Sequence, residues 1–466
     1  MSKGKGAMQT EMRRVAIVGG IRIPFCRSHT AYAELTNLNM LEAALKGLVD
    51  QYALHGAHIG EVAGGAVVTH AKDWNLAREA VIGSELSPTT PATTMMQACG
   101  TSLQAALGIA AKIATGQIES GIAMGADTVS DAPVVFNRKF ARRLITQSRS
   151  KGVGDKLAAF KGFSPGELAP QPPSTAEPRT GLTMGEHCEL MAKEWGITRE
   201  AQDELAYESH KKAAAAYEEG FMDDLVVPCA GIFMDNNIRP DISLEKMAEM
   251  KPAFDREGGT ITAANATPLT DGASTVLLAS EDWAKARNLP ILAYLTTGRT
   301  AAVDFTAGEG LLMAPTIAVS ELLSACNLEL QDFDYYEIHE AFAAQVLATL
   351  AAWESDGYCR ERLGRNAALG KIDRKKLNVK GSSIAFGHPF AATGGRILPV
   401  MGKLLSESAG RRGLISVCTA GGMGVAAILE GVETDPKSQN AEPAMTGATQ
   451  ANSAESTAAG AGTEAV

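Results

Sequence analysis

Two cysteines and two histidines stand in settings where these side chains do chemistry. Cys99 lies in Gln97-Ala98-Cys99-Gly100-Thr101-Ser102-Leu103. After it Leu103, Ala106, Leu107 and Ala110 recur at i, i+3, i+4 and i+7, and Gly116 supplies a stop, which predicts a buried helix with Cys99 at its N-terminal edge. The free amides and positive dipole end of such a helix favour a thiolate, the nucleophilic form. An inert core cysteine fits the same position, so the case for chemistry turns on whether a base is supplied elsewhere. Gly387-His388-Pro389 holds an imidazole on a tight turn, at a conformational cost that an ordinary surface histidine does not need. In Glu337-Ile338-His339-Glu340-Ala341-Phe342 a second histidine leaves the end of a strand, where α/β enzymes place site residues, although a structural role fits it too. Cys418-Thr419-Ala420-Gly421-Gly422-Met423-Gly424 is a strand end with a glycine-rich turn whose amides suit a developing oxyanion, or else a plain hairpin.

The elements that must position these residues alternate between strands and helices. Arg14-Val15-Ala16-Ile17-Val18-Gly19-Gly20 reads as a buried parallel strand, residues 39–54 as a helix, 61–68 as a strand and 121–126 as another. A comparable order returns after residue 290. It runs as a strand over 291–295 ending at Thr296-Thr297-Gly298-Arg299, a helix over 315–326 and a strand over 335–338. The His388 turn, a helical stretch and a strand over 413–418 follow. This predicts an α/β protein built from two copies of one βαβ-type unit, with Cys99 and His388 at matching turn-to-helix positions. Pro399 should kink the second helix or delay its start. The predicted domains are 13–129 with 251–290 as one half, 130–250 as an inserted loop domain, 291–433 as the other half, and 434–466 as a disordered low-complexity tail.

Composition narrows the setting. At 466 residues, 45% hydrophobic and 21% charged, the chain can bury a large core. No apolar run approaches the ~18 residues of a membrane span, and the polar N-terminal stretch lacks a secretory apolar region. Seven dispersed cysteines without a Cys-x-x-Cys pair indicate neither a disulfide framework nor a zinc knuckle, and predict a reducing, cytoplasmic setting. A net charge of −10 argues against nucleic-acid binding. Residues 137–161 are the exception. They carry eight Lys or Arg against one acid, Asp155, interleaved with Phe140, Leu144, Ile145, Leu157 and Phe160. A solvated face, or a contact with phosphates, a partner or a membrane surface, fits that pattern.

Taken together these residues resemble the thiolases over nearly the whole span from about residue 13 to 433. The resemblance is carried by Arg22-Ile23-Pro24-Phe25, Gln97-Ala98-Cys99, Met184-Gly185-Glu186, Thr262-Ala263-Ala264-Asn265-Ala266, Asp271-Gly272-Ala273, Gly387-His388-Pro389 and the Cys418 motif. Most thiolases have Asn where this chain has His339, and glycine where it has Ala420. With Thr267-Pro268 and the basic insertion, these departures resemble the branch of the mitochondrial trifunctional-protein beta subunit and the bacterial anaerobic 3-ketoacyl-CoA thiolase.

The resemblance implies a layered α/β/α/β/α thiolase-like fold and thiolytic cleavage of 3-ketoacyl-CoA by CoA in fatty-acid β-oxidation. It implies Cys99 as acyl-accepting nucleophile, His388 as its base, Cys418 as the second acid/base and His339 as a holder of the enolate oxygen through a water. The amides of Cys99 and Ala420 form the acyl oxyanion hole, and Thr267 and Met184 meet the substrate. CoA is a cosubstrate, and no metal or redox cofactor is implied. A homodimer at least, a hydratase/dehydrogenase alpha subunit and peripheral membrane contact through the insertion complete the implied partners. The competing readings are a biosynthetic acetoacetyl-CoA thiolase, a ketoacyl synthase, against which Cys418 counts, and a non-catalytic scaffold subunit. One consequence follows from composition alone. Residues 434–466 have almost no large apolar side chain to repay ordering entropy, so deleting them should leave the thermal midpoint and turnover unchanged. A fall of several degrees in a calorimetric scan would show that the tail packs on the body.

Overall fold

The computed structural model describes residues 12–433, so the predicted tail lies outside the described residues. Ten strands are present among them: β1 (Val15–Arg22), β2 (Cys26–Arg27), β3 (Glu61–Gly65), β4 (Ala92–Thr94), β5 (Ser120–Asp127), β6 (Thr270–Ser280), β7 (Ala293–Ala302), β8 (Tyr335–Ile338), β9 (Arg412–Thr419) and β10 (Met423–Gly431). They join in the order β4-β3-β5-β6-β1-β7-β10-β9-β8, with β2 on β6. In the sheet the two halves join at a short β1–β7 pairing, Ala16 with Tyr294 and Ile17 with Ala293. Outward from that seam each half repeats one pattern: two antiparallel pairings, then a parallel one. The duplication expected from element order is thus visible in the topology, although β1, read as a parallel strand, pairs antiparallel with both β6 and β7.

Alternating side chains place these strands between helices on both faces. In β6, Val276 and Leu278 face an inner core, and Leu277 and Ala279 an outer one; in β10, Val425, Ala427 and Leu429 face the same inner core, and Ala426 and Ile428 the opposite outer one. The inner core is filled by helices Thr101–Ala114 and Thr393–Ser408, through Leu103, Ala106, Ile109, Ile397, Leu398 and Met401. Outer layers are built from Asn37–Gln51 and Leu76–Gly83 on one side and Ala314–Cys326 and Ala343–Glu354 on the other. The result is the α/β/α/β/α layering.

Several local expectations are corrected. β7 does not end at Thr296 but runs through Thr-Thr-Gly-Arg to Ala302, because β10 pairs with it along that whole length. The second central helix neither breaks at Pro399 nor starts after it. Its pyrrolidine ring lies against Gly20, where an added Cβ would stand 2.4 Å from Pro399 Cγ, so packing on a side-chain-free strand position compensates for the lost helical hydrogen bond. The turn after Cys418 is a hairpin, with Thr419 opposite Met423.

Between the halves, helices Met184–Glu194 and Arg199–Glu218 pack on the body, whereas Arg138–Arg149 and Val153–Ala158 carry no buried residue. Arg143 ties the basic segment to itself, donating to Glu167 at 2.6 and 3.1 Å and to the carbonyls of Ala159, Lys161 and Gly162. The inserted region is clamped to β1 by a buried bidentate pair, Arg22 to Asp235 at 2.6 and 2.7 Å. Between the two central helices the approach is backbone on backbone: a Cβ at Gly394 would lie 2.4 Å from Leu103 N. Gly394→Ala should therefore force the central helices apart and cost about 1–3 kcal/mol in denaturant unfolding, as overpacked cores do. An unchanged midpoint would show that the interface has slack.

Candidate active site

Each central helix brings one reactive side chain to the seam. Thr101 caps the approach to the first helix: its Oγ1 accepts from Gln97 N at 2.8 Å and donates to Ala98 O at 2.7 Å. The turn so formed puts Ala98 at a φ of 44°, a strained conformation for a residue with a Cβ, directly before Cys99. On the other side Gly387 takes a φ of 107°, and any Cβ there would strike Asn237 and Thr270, so only glycine delivers His388 to this place. Thr270 Oγ1 accepts from His388 N at 3.1 Å. His388 Nε2 then lies 3.1 Å from Cys99 Sγ, and its Nδ1 lies 2.6 Å from Thr393 Oγ1. His339 follows β8, with its ring centroid 4.2 Å from that of His388 and its Nδ1 2.8 Å from Ser383 Oγ. Donor atoms of Cys99, His339 and His388 all fall within 4.8 Å of one another.

Burial sets the charge state. Cys99 is half-buried at its surface, yet burial of its sulfur pushes the thiol up to about 12, against the pull of the Ala420 amide and of its own. Burial, then Arg396, pushes His388 down to about 3. His339 is driven well below the ordinary imidazole value by burial, His388 and Arg396. Cys418, fully buried in an apolar cluster with Cys188, Met184 and Phe342, is raised well above an ordinary thiol by burial and by the nearness of Cys99 and Cys188. Thr267 donates through N and Oγ1 to Ala341 O at 3.1 and 3.2 Å, which places it beside the His339 segment. All six side chains, with Ala420, are thus gathered at or next to one site.

The arrangement is that of a thiol with an imidazole in contact and a second, buried thiol beside it. Residues 15–282 match the family described as thiolase, N-terminal domain, and residues 289–431 match thiolase, C-terminal domain. The chain belongs to the thiolase family. A 3-ketoacyl-CoA thiolase of Pectobacterium carotovorum is 42% identical over 90% of this chain and 96% of its own length. One of Shewanella baltica is 41% identical over 92% of this chain and all of its own. The crystal structure of the Bacillus anthracis acetyl-CoA acetyltransferase superposes with a TM-score of 0.76 at 28% identity, covering 91% of this chain and 100% of that one. Like them, this thiolase is an acyltransferase.

The helix begins at Thr101, two residues past Cys99, and burial opposes the thiolate that its positive end favours. Residues that sequence reasoning left without a role fix the loops around the site. Asp127 accepts from Val67, Val68 and Ala391 amides at 2.9, 2.7 and 2.8 Å, and Asp271 from Val129 at 2.8 Å. Glu340 accepts from Ser209 at 2.7 Å and Asn378 at 2.7 Å, locking the turn after His339. A cavity of about 510 Å³ adjoins this lock but is lined by neither Cys99 nor His388. Acids at strand ends were the available signal for Asp127 and Glu340. The charge state is checked by thiolate ultraviolet absorbance, taken as the difference between the protein and Cys99→Ser. A raised thiol keeps its proton to high pH, so the signal should be absent at neutral pH and grow only as the solution becomes strongly alkaline. Full absorbance at neutral pH would mean a thiolate–imidazolium pair.

Proposed function

We propose that this thiolase is a 3-ketoacyl-CoA thiolase of fatty-acid β-oxidation that works through an acyl-cysteine intermediate. The observation that carries the reading is the 3.1 Å approach of His388 Nε2 to Cys99 Sγ, with Cys418 buried alongside. Cys99 gives its proton to His388 and attacks the 3-keto carbon, whose oxygen turns to the amides of Cys99 and Ala420. The bond between C2 and C3 breaks, leaving an acyl thioester on Cys99 and the enolate of acetyl-CoA near His339 and His388. Cys418, held protonated by burial, gives its proton to the enolate carbon. While acetyl-CoA departs, the imidazolium proton passes to the Cys418 thiolate, so His388 is again a base. It takes the thiol proton of CoA, whose sulfur attacks the acyl carbon, and returns that proton to Cys99 as the shortened acyl-CoA leaves.

Acyl-CoA and CoA are the substrates, with CoA a cosubstrate and no further cofactor required by these steps. Thr267 and Met184 are half-buried beside the site; Thr267 meets the pantetheine chain and Met184 the substrate. The names of the Pectobacterium and Shewanella relatives support the substrate class. The likeness to the Bacillus acetyl-CoA acetyltransferase supports a second reading, an acetoacetyl-CoA thiolase. Comparable turnover of 3-ketohexadecanoyl-CoA and acetoacetyl-CoA favours the first, and activity confined to acetoacetyl-CoA the second. The protein acts as a homodimer at least, beside a hydratase/dehydrogenase alpha subunit. The exposed Val134, Val135, Phe136, Ile145 and Leu157 among basic residues support contact with that subunit or with an anionic membrane surface. No described helix is long and apolar enough to cross a membrane, and the seven free cysteines support a reducing, cytoplasmic setting.

The two thiols separate by half-reaction. Cys99→Ala should abolish both cleavage and exchange of labelled CoA into a saturated acyl-CoA. Cys418→Ala should lower cleavage about a hundredfold to ten-thousandfold, the usual worth of a positioned acid, while exchange, which needs no enolate, persists. Loss of exchange in a folded Cys418→Ala variant would refute this division.

A further inference from the structure

We propose that Ser383 is the positioning residue that sets the tautomer of His339: it accepts a hydrogen bond from Arg396 and gives its only proton to His339 Nδ1, leaving Nε2–H as a donor inside the site. Ser383 Oγ lies 3.0 Å from Arg396 Nη2 and 2.8 Å from His339 Nδ1. A guanidinium has donors only, so at Ser383 it occupies an oxygen lone pair. Among the described residues the hydroxyl has no hydrogen-bond partner besides these two, so its hydrogen points to Nδ1. A neutral imidazole carries one hydrogen, and with Nδ1 accepting, that hydrogen is on Nε2. His339 Nε2 is fully buried and, among the described residues, has no partner. A buried donor without a partner is the sign of a group kept for something that arrives.

The contrast with His388 gives the device its purpose. Its Nδ1 faces Thr393 Oγ1 at 2.6 Å, and among the described residues no cation is bonded to that hydroxyl, so Thr393 can accept from Nδ1–H and leave Nε2 bare against Cys99. Two imidazoles 4.2 Å apart thereby present opposite functions, an acceptor for the nucleophile's proton and a donor for a developing oxygen charge. Arg396 sits one turn into the helix that Thr393 begins, so the same helix that delivers the base also orients the donor. Its guanidinium is held in place by Ser382 Oγ at 2.9 Å and by Glu337, whose Oε2 lies 3.7 Å away.

The kinetic part of the proposal rests on the enolate chemistry proposed above; the tautomer does not. Side-chain nitrogen NMR of the substrate-free full chain should show His339 protonated at Nε2 and bare at Nδ1. In Ser383→Ala both tautomers should appear, and in Ser383→Thr, which keeps the hydroxyl, the original one should return. Ser383→Ala should lower kcat for 3-ketoacyl-CoA cleavage about tenfold to a hundredfold with KM changed less than about twofold. Exchange of labelled CoA into a saturated acyl-CoA should change far less, and Ser383→Thr should recover cleavage. A wild-type His339 protonated at Nδ1 overturns the proposal. So does a Ser383→Ala variant that cleaves like wild type, or one that stays folded and loses exchange in parallel with cleavage. Wild-type protein inert towards every 3-ketoacyl-CoA refutes the functional reading instead, while the NMR result still decides the tautomer.

Discussion

The approach of two helix backbones at the centre of the molecule is the constraint on which the site depends. Gly394 lies so near Leu103 that no side chain fits between them, and Gly395 N donates to Ser102 Oγ at 2.8 Å. These contacts pin the first turn of one central helix to the first turn of the other. Cys99 and His388, which shortly precede those turns, are separated by 289 residues in sequence and come within 3.1 Å. Each half contributes a sheet to cover the helix pair, so the meeting point is enclosed on both sides. Duplication of the unit is what makes the site possible, because one copy supplies Cys99 and the other His388 at corresponding positions.

Enclosure then governs the chemistry. Removing water disfavours every charged form, and so the thiols are raised and the imidazoles lowered. The buried acids obey the same rule. Burial pushes Asp127 up to about 7 and Glu337 up to about 8, even with three amides on the former and Arg396 near the latter.

Irregular backbone surrounds the site, and its polar groups must find partners in a place that water does not reach. Carboxylates do this. Asp127 joins the loop after β3 to the one after His388; Asp235 joins Arg22 to the Phe25 amide at 2.6 Å; Glu340 joins the insertion to the loop before His388 through Ser209 and Ile384. Asn378, itself in the left-handed region, brackets the backbone of Ile338 at 2.9 Å on both sides. Rigidity of the catalytic loops thus comes from side chains that do not touch the reacting atoms.

Local pattern carried much of this into the sequence. The 3.6-residue spacing after Cys99 marks its helix, the strand over 335–338 is found with those bounds, and glycine and proline around His388 mark a turn that only those residue types form. β6 and β10 were not legible, because strands buried on both faces lack alternation, and a repeat read as βαβ leaves no place for antiparallel partners. Pro399 misleads because its compensation is a glycine on a strand near the other end of the chain. The Arg396–Ser383–His339 relay and the Asp127 clamp link residues with no periodic relation to one another. The sequence by itself determined which segments around Cys99 and His388 are helix or turn and the twofold order of elements, because these depend on neighbours along the chain. Tertiary structure alone decided which of them touch, and that burial raises the Cys99 thiol and lowers the His388 imidazole. Those depend on how much water is excluded and on groups that only folding brings within hydrogen-bonding distance.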